Sequence, residues 1–275
     1  MGRQIKILTL NLLSDLSRWP VRRDLLARQV WELDADLIAL QEVKLPENTA
    51  AWLANRLNER PRQASPYRLY LTPLTGKPGR QEALAILSRL PVEESGWLDL
   101  KSQNRVAQAV RVRAGADRGG SRIVLANGHY FWHTGESVER DRQVQRLLEW
   151  LQQDWGGLPA VICGDFNAGP DTRSIQILRE QFKSAYAGLH GREPEYTYPT
   201  PLPTSRLHTL STAIRFLGNI RLTDLGFSRK RTFDYIFTSP ALRVVDSKVV
   251  LNQPAAHNPH LYPSDHFGVS AVIEV

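Results

Sequence analysis

The stretch that decides the fold is Ala160-Val161-Ile162-Cys163-Gly164-Asp165-Phe166-Asn167. Its first four residues are apolar and predict a buried strand that ends at a glycine. Side chains two positions apart on an extended chain point the same way, so Asp165 and Asn167 project together beyond the strand. An ordinary strand-end turn has the same pattern, so the interpretation depends on the rest of the chain.

The composition limits the class of protein. The chain has 275 residues, of which 42% are hydrophobic and 23% charged, as in ordinary globular proteins. It has no apolar stretch near the roughly 18 residues of a membrane span, and the N-terminus is too short and polar for a signal peptide. The single cysteine, Cys163, excludes an internal disulfide. We therefore expect a cytoplasmic protein without a transmembrane segment.

Strands and helices alternate along the whole chain, without repeats, linkers or shifts in composition. This pattern predicts one mixed α/β domain over residues 1–275, and we expect a monomer. Lys and Arg number 35 against 28 Asp and Glu, a net charge of +7. A basic surface favours nucleic acid, phosphorylated small molecules or anionic lipid, and charge alone does not choose among them.

Several other predicted strands also end in polar side chains. A carboxylate at such a position gains nothing from the core and needs a cation, a hydrogen-bond donor or water. Open α/β sheets bind ligands beyond their strand ends, so we expect these side chains to form one site. The set is Asn11, Glu42, His129, Asp165, Asn167, Asp234, Asp265 and His266.

The chemistry of this set favours one class of metal. A second cysteine is absent and ligating histidines are too few for a typical zinc site, whereas hard oxygen donors suit Mg²⁺. Such an ion polarises a phosphoryl oxygen and stabilises the leaving oxygen, while a carboxylate or histidine deprotonates water. The residues therefore point to hydrolysis of a phosphate ester.

The same residues lie in short motifs that follow one family order. Each string is weak alone, but together they resemble the endonuclease/exonuclease/phosphatase superfamily, with its magnesium-dependent DNase I-like fold. The motifs are Leu10-Asn11, Leu40-Gln41-Glu42-Val43, Glu82 with Ala85-Ile86-Leu87-Ser88-Arg89, Asn127-Gly128-His129, Gly164-Asp165-Phe166-Asn167, Phe233-Asp234-Tyr235-Ile236 and Ser264-Asp265-His266. The resemblance implies a four-layer α/β/β/α sandwich of two mixed β-sheets flanked by helices.

The resemblance also implies a metal site. Glu42 would be the main ligand, and Asn11 and Asp265 would complete or support the site. The cofactor would be Mg²⁺, with Mn²⁺ as a substitute.

Catalytic roles follow from the resemblance as well. Asp165 would position the attacking water or bind a second ion, and Asn167 would contact the phosphoryl group. His266 would contact or protonate the phosphate, oriented by Asp234. His129 would be a second acid–base histidine, with Glu82 as its carboxylate.

Two further residues are candidate substrate contacts. Arg105 precedes a strand and could reach a phosphate. Trp132 follows His129 and could stack a base or line a lipid groove, although core packing is the commoner role of such aromatics. Residues 203–231 carry apolar residues at helical spacing among several arginines, a pattern typical of a helix on the protein's own core, a membrane surface or a nucleic-acid groove.

The substrate stays open at this level. We expect a phosphodiesterase, with nucleic acid slightly favoured by the positive charge and an endonuclease or exonuclease as the leading interpretation. A phosphodiesterase or phosphatase acting on lipid headgroups or inositol phosphates, similar to sphingomyelinase, is the alternative. A non-catalytic binding module on the same fold is less favoured, because the metal glutamate and both histidines are present.

Overall fold

The computed structural model describes residues 3–59, 65–75, 82–114, 120–133, 135–203 and 230–275. The strands are β1 (Gln4–Asn11), β2 (Leu37–Lys44), β3 (Arg68–Pro73), β4 (Glu82–Ser88), β5 (Val92–Asp99), β6 (Val106–Ala114), β7 (Ser121–His129), β8 (Ala160–Asp165), β9 (Lys183–Ser184), β10 (Asp234–Thr238), β11 (Arg243–Val250) and β12 (Gly268–Glu274). The helices are α1 (Trp19–Leu33), α2 (Thr49–Asn58), α3 (Val138–Asp154), α4 (Arg173–Arg179) and α5 (Ala185–His190).

The described strands form two mixed sheets of six strands each. The first has the order β11-β12-β1-β2-β4-β3, and the second β5-β6-β7-β8-β10-β9. Only β1–β2 and β7–β8 are parallel pairs among the described ladders. None of the described helices is long and apolar enough to cross a membrane.

Alternation along the strands divides the apolar side chains between the layers. On β1, Ile5 and Ile7 enter the core between the sheets, whereas Leu8 and Leu10 pack with residues of α1 and α2. On β8, Val161 faces the inter-sheet core and Ile162 faces the layer of α3 and α4. The predicted α/β/β/α sandwich is therefore confirmed.

The predicted elements that carry motifs are present, with ends that differ by a few residues. The strand β5 was not predicted, because the segment Val92–Asp99 is largely polar and its residues are half-buried or exposed. The strand lies at the edge of the second sheet, where it does not need an apolar run. The short β9 and α5 lie in a segment expected to be irregular. The amphipathic pattern within residues 203–231 falls almost wholly on residues 204–229, outside the described residues.

The close approach of β7 and β8 depends on glycine. Gly164 has φ +137°, and a Cβ there would lie 2.0 Å from the carbonyl oxygen of Gly128. No side chain fits in that space. The glycine before Asp165 is therefore required by the packing of these two strands.

A buried amide pair joins the two sheets beneath their polar edge. Gln41 Nε2 on β2 donates to Asn127 Oδ1 on β7 over 2.7 Å. Asn127 Nδ2 in turn donates to the carbonyls of Leu40 and Ala85, at 3.1 Å each. These bonds fix how the two sheets sit against each other, because a buried amide that lost its partners would be strongly destabilised.

Candidate active site

Asp165 lies at the centre of the site, at the end of β8. Strand alternation points it between the sheets, on the same side as Val161. It is 1% exposed, and its Oδ1 accepts the backbone N–H of Asn167 (2.9 Å). Its Oδ2 lies 3.5 Å from His129 Nε2 and 3.9 Å from His266 Nε2. Burial and the nearby Asp234 raise the pKa of Asp165 to about 7.

Asn11 links the two sheets at this edge. Its Nδ2 donates to Glu42 Oε1 (3.1 Å) and to Asp165 Oδ2 (3.0 Å), while its Oδ1 accepts the N–H of Leu13 (2.9 Å). The side chain thus bridges the two carboxylates as a donor. The amide oxygen expected to support a metal is turned towards the backbone.

Glu42 reaches the site through an irregularity in β2. Simple alternation would place Gln41 between the sheets and Glu42 on the helical side. The pairing of β2 with β4 shifts register between Leu40 and Val43, and Glu42 adopts φ +52°. A residue in this left-handed region costs free energy, which is typical of functional positions. The bulge turns the carboxylate towards Asn11.

The carboxylate of Glu42 is held in its ionised form. Ser14 N–H donates to Oε2 over 2.7 Å, and Asn11 donates to Oε1. Burial opposes ionisation, but the imidazoles of His129 and His266, where these are protonated, and the hydrogen bonds from Ser14 and Asn11 lower the pKa of Glu42 to about 2. A permanently charged carboxylate at the site edge suits a metal ligand.

His266 and Asp234 form the pair expected from the sequence. His266 Nδ1 lies 2.9 Å from Asp234 Oδ2, and the same oxygen accepts the hydroxyl of Thr197 (2.6 Å). Burial would lower the pKa of His266, but Asp234 and Asp165 raise it well above its usual value. The ring of Tyr198 lies tilted against the imidazole, with centroids 4.7 Å apart.

Ser264 connects this pair to β1. Its hydroxyl donates to the backbone carbonyl of Asn11 (2.6 Å), and it lies 3.2 Å from Asp265 Oδ1. Asp265 itself is 7% exposed. The structure therefore brings the Asp265–His266 motif beside Asn11, as the order of the motifs predicts.

The structure places Asp165 and Arg105, rather than the expected Glu82, at the two ring nitrogens of His129. Glu82 begins β4 opposite Lys44, in the first sheet. The carboxylate beside His129 is instead Asp165, next to it on the parallel strands β7 and β8. On its other side, His129 Nδ1 faces Arg105 Nη1 at 2.9 Å. Apolar spacing located β4 but did not indicate which side chain reaches the imidazole.

Arg105 is 9% exposed and meets a buried ring rather than open solvent. Burial and the charge of Arg105 lower the pKa of His129 well below its usual value. Its neighbour across the site, His266, is shifted in the opposite direction. The two imidazoles that flank Asp165 are therefore electrostatically unlike.

Asn167 and its loop are fixed by a buried arginine. Asn167 has φ +50°, and its Nδ2 lies 3.3 Å from the carbonyl of Tyr130. Arg140 on α3 donates to the carbonyls of Asn167 (3.0 Å) and His133 (2.5 Å), and also to that of Gly135. Arg140 is therefore the link between the Asn167 turn and the loop after β7.

Trp132 lies in that loop. Its ring stacks on the imidazole of His133, with the centroids 4.1 Å apart. The ring of Phe131 also stacks on the His133 imidazole, with the centroids 5.1 Å apart. All three side chains are half-buried. By contrast, Tyr130 is buried and stacks on Phe166 at 4.3 Å. Phe131, Trp132 and His133 together are called the aromatic platform below.

The donor set fits a divalent cation. Asp165, Asp234 and His266 each offer a ligand atom, and these atoms lie within 4.8 Å of one another. Asp234 Oδ1 is buried without a hydrogen-bond partner. Several carboxylates share a buried space, and their mutual repulsion is relieved by a positive ion.

Sequence reasoning missed Thr197 and Tyr198. Both lie in a stretch expected to be irregular, and the signal was the run Tyr196-Thr197-Tyr198, whose polar and aromatic side chains have no core periodicity. Thr197 contacts Asp234, and Tyr198 contacts His266. These partners are distant in the sequence, so the spacing of residues along the chain does not predict the contacts.

Comparison with known proteins places these features in a family. Protein angel of Drosophila melanogaster is 28% identical over 196 residues, which cover 67% of this chain and 51% of that protein. The CCR4-Not complex 3'-5'-exoribonuclease subunit Ccr4 of Candida albicans is 25% identical over 175 residues, covering 57% of this chain and 22% of that protein. The chain thus spans about half of one of these curated relatives and about a fifth of the other.

Solved structures share the fold. The human Nocturnin catalytic domain with bound sulfate superposes with a TM-score of 0.73 at 23% identity, covering 99% of this chain and 93% of that one. TDP2 of D. rerio, complexed with single strand DNA product, gives 0.72 at 16% identity and 99% coverage of both chains.

The family model described as Endonuclease/Exonuclease/phosphatase family matches residues 8–266, which include every residue of the polar cluster from Asn11 to His266. The chain belongs to the Endonuclease/Exonuclease/phosphatase family.

Proposed function

We propose that this chain is a divalent-metal-dependent phosphodiesterase acting on nucleic acid, with Mg²⁺ as its ion. The observation that carries the proposal is the setting of Asp165, buried between two imidazoles and bridged by Asn11 to the ionised Glu42. A binding module would not need unlike histidines around a buried carboxylate.

Glu42 would hold the ion, with Asp265 as a further ligand, while Asn11 would position the Glu42 carboxylate through the hydrogen bond from its Nδ2. The ion, when bound, supplies polarisation of a phosphoryl oxygen and stabilisation of the leaving oxygen. The side chains of this protein supply the remaining work of orientation and proton transfer.

Asp165 would orient and deprotonate the attacking water. Its Oδ1 is occupied by the Asn167 N–H, so its Oδ2 is the oxygen that faces the histidines and Asn11. Burial removes competing solvent and strengthens the interaction of this oxygen with a positioned water.

His266 would stabilise negative charge on the phosphoryl group. Asp234 holds Nδ1, which leaves Nε2 directed towards Asp165 and the open side of the cluster. A carboxylate that holds an imidazole in this way fixes its orientation and favours the protonated ring. Asn167 would add an amide hydrogen bond to the same group.

Nucleic acid is the substrate class that the surface supports best. The chain carries a net charge of +7, and the aromatic platform lies directly after His129 at the end of β7. A net positive charge favours anionic partners, and aromatic side chains can stack on the bases of a single strand. The names of Ccr4 and of the TDP2 complex refer to an exoribonuclease and a single-strand DNA product, respectively.

The test is hydrolysis of a substrate panel with Mg²⁺, containing single-stranded RNA, single-stranded DNA, supercoiled plasmid, sphingomyelin vesicles and an inositol phosphate. Wild type is compared with Asp165→Asn and His266→Ala. Matched controls are Asp246→Asn and His190→Ala, which change the same residue types far from the cluster.

We expect cleavage of a nucleic acid that is lost in both site variants, retained in both controls and abolished by a chelator. Binding should also weaken steeply with salt, as phosphate contacts require. Cleavage of lipid or inositol phosphate alone would move the assignment to that alternative. Activity that survives both site variants would contradict the proposed mechanism.

A further inference from the structure

Arg105 meets the imidazole of His129 in an unusual way. Both side chains are more than nine-tenths buried, and Arg105 Nη1 lies 2.9 Å from His129 Nδ1. The arginine ends the loop between β5 and β6, where its N–H donates to Ser102 O (3.1 Å) and its carbonyl accepts the N–H of Leu100 (2.9 Å). The backbone therefore fixes the direction from which the guanidinium approaches.

The partner of Nδ1 decides where the ring carries its proton. A guanidinium has five N–H donors and no acceptor. Nδ1 must then accept this hydrogen bond, and the proton of the neutral ring lies on Nε2. That nitrogen faces the site, 3.5 Å from Asp165 Oδ2.

The opposite orientation of the ring does not fit these neighbours. Rotating the imidazole by half a turn about χ2 would place carbon atoms against Arg105 and Asp165. Both polar contacts would be lost in a buried setting, which is unfavourable. The observed orientation gives each nitrogen a polar neighbour of the correct type.

The second histidine of the site has the reverse arrangement. Nδ1 of His266 faces the carboxylate of Asp234, which only accepts, so Nδ1 carries a hydrogen. The cationic Arg105 therefore contacts Nδ1 of His129, whereas the anionic Asp234 contacts Nδ1 of His266. Two rings held in this way are not interchangeable.

We propose that Arg105 is a positioning residue that holds His129 as the neutral tautomer protonated on Nε2, and that His129 donates a hydrogen bond to the phosphoryl group rather than exchanging protons. This inference rests on the proposed function for the identity of the acceptor, but not for the tautomer. It replaces the expected acid–base role of His129 and leaves proton transfer to Asp165 and His266.

The loop that presents Arg105 also contacts the aromatic platform. Gln103 Oε1 accepts the N–H of Trp132 (3.1 Å), and Gln103 adopts φ +54°. Lys101 and Asn104 are left-handed as well, at φ +66° and +58°. This closely constrained loop sets the positions of Arg105 and the residues after His129 together.

The test is the tautomer of His129 in full-length, Mg²⁺-loaded protein labelled with ¹⁵N-histidine, read from long-range ¹H–¹⁵N correlation spectra. The chain has seven histidines, so the signal is identified as the one missing in His129→Gln. We expect a neutral ring protonated on Nε2.

Three arginine variants extend the test. Lysine also lacks an acceptor, so Arg105→Lys should keep the Nε2–H pattern. Glutamate only accepts, so Arg105→Glu should move a proton to Nδ1. Arg142→Glu, an exposed charge reversal on α3, should leave the pattern unchanged.

Activity provides a second reading on whichever substrate of the panel is cleaved. Where the Nδ1 proton gained in Arg105→Glu comes from Nε2, so that the donor is lost, kcat should fall about 10²-fold, the order measured for one transition-state donor, with a smaller change in KM. Arg105→Lys should recover most of that loss. A purely structural role for Arg105 would not give this conservative rescue together with a tautomer change.

The outcomes separate clearly. A wild-type His129 that is protonated on Nδ1, or on both nitrogens, would overturn the proposal, and so would an unchanged pattern in Arg105→Glu. If Arg105→Glu does not fold, the wild-type and Arg105→Lys spectra decide, and loss of the Nε2–H pattern in Arg105→Lys would contradict it. Failure to cleave any phosphoester would count against the proposed function and leave the tautomer result standing.

Discussion

Nδ1 of His266 lies 2.9 Å from Oδ2 of Asp234, and the hydroxyl of Thr197 donates to the same oxygen. The carboxylate is 1% exposed, so its hydrogen bonds are not shared with bulk solvent. Asp234 therefore orients the imidazole directly, and Thr197, from another segment of the chain, holds the Asp234 oxygen that does so.

We expect Asp234→Asn to lower kcat about 10³- to 10⁴-fold, the effect of losing an orienting carboxylate behind a catalytic histidine. The same change removes the main charge that raises the pKa of His266, so that pKa should fall. Steady-state kinetics and an NMR titration of His266 measure the two effects. Because the residues act as a unit, Asp234→Asn combined with His266→Ala should cost little more than His266→Ala alone. Additive losses would show that they act separately.

Metal binding should stabilise the fold through Glu42. An ion that binds only the folded state at a hundredfold excess over its Kd adds about 2.7 kcal/mol. Thermal unfolding with and without Mg²⁺ measures this shift. Glu42→Gln should abolish most of it, since the carboxylate held by Ser14 and Asn11 is lost.

The matched control for this measurement is Glu82→Gln, which changes the same residue type at the start of β4. Glu82 is paired along the ladder with Lys44, and the ring nitrogens of His129 face Asp165 and Arg105 instead, so the metal-induced shift should be retained. Equal losses in both variants would contradict the placement of the metal at Glu42.

Gly164→Ala should destabilise the protein severely. The added Cβ would lie 2.0 Å from the carbonyl oxygen of Gly128, and φ +137° is strained for alanine. We expect a loss of more than about 3 kcal/mol in free energy of unfolding, beyond the usual range of single substitutions. Denaturant unfolding measures it. The control Gly188→Ala lies in α5 with open space around it and should be neutral or stabilising by up to about 1 kcal/mol. A loss at Gly164 no larger than at Gly188 would contradict the packing argument.

Cys163 should be unreactive in the folded protein. Burial raises the pKa of its thiol to about 12, and its Sγ lies 3.5 Å from the carbonyl oxygen of Ala126. The thiolate is the reactive form, so a thiol reagent at pH 8 should label the chain only at the rate of unfolding. Rapid labelling of native protein would show that β8 opens locally.

The same shift has a consequence for stability with a defined sign. The folded pKa is raised, so the contribution of Cys163 is fully present below the ordinary thiol value near 9 and is lost as pH rises towards about 12. Cys163→Ala should therefore show a weaker fall in stability over this alkaline window than wild type. An identical fall in both proteins would assign it to other groups.

Sequence alone predicted most of the site because alternation fixes direction. On β1, β7, β8 and β10 the site residues share the side of the strand that carries the inter-sheet core, so they meet once the sheets are packed. The cluster of Asn11, His129, Asp165 and Asp234 follows from that rule. Glu42 was predicted through its motif, although alternation would have placed it on the wrong side without the bulge.

The rest depended on contacts that no local pattern encodes. Arg105 reaches His129 from a loop whose left-handed residues are not glycines, so the turn had no sequence signal. Thr197 contacts Asp234 across 37 positions in the chain. The strand β5 was missed since an edge strand needs neither an apolar run nor strict alternation.

The hydrogen-bonded amides of Gln41 and Asn127 fix the alignment of the two sheets relative to each other. Hydrocarbon side chains pack almost equally well after a small sliding movement, because their attraction has no preferred direction. The hydrogen bond from Gln41 to Asn127 and those from Asn127 to the carbonyls of Leu40 and Ala85 are directional, so they favour one alignment. Glu42 and Asp165 belong to different sheets, so the uncharged amides of Gln41 and Asn127, together with the Asn11 bridge, help to set the separation of these two carboxylates.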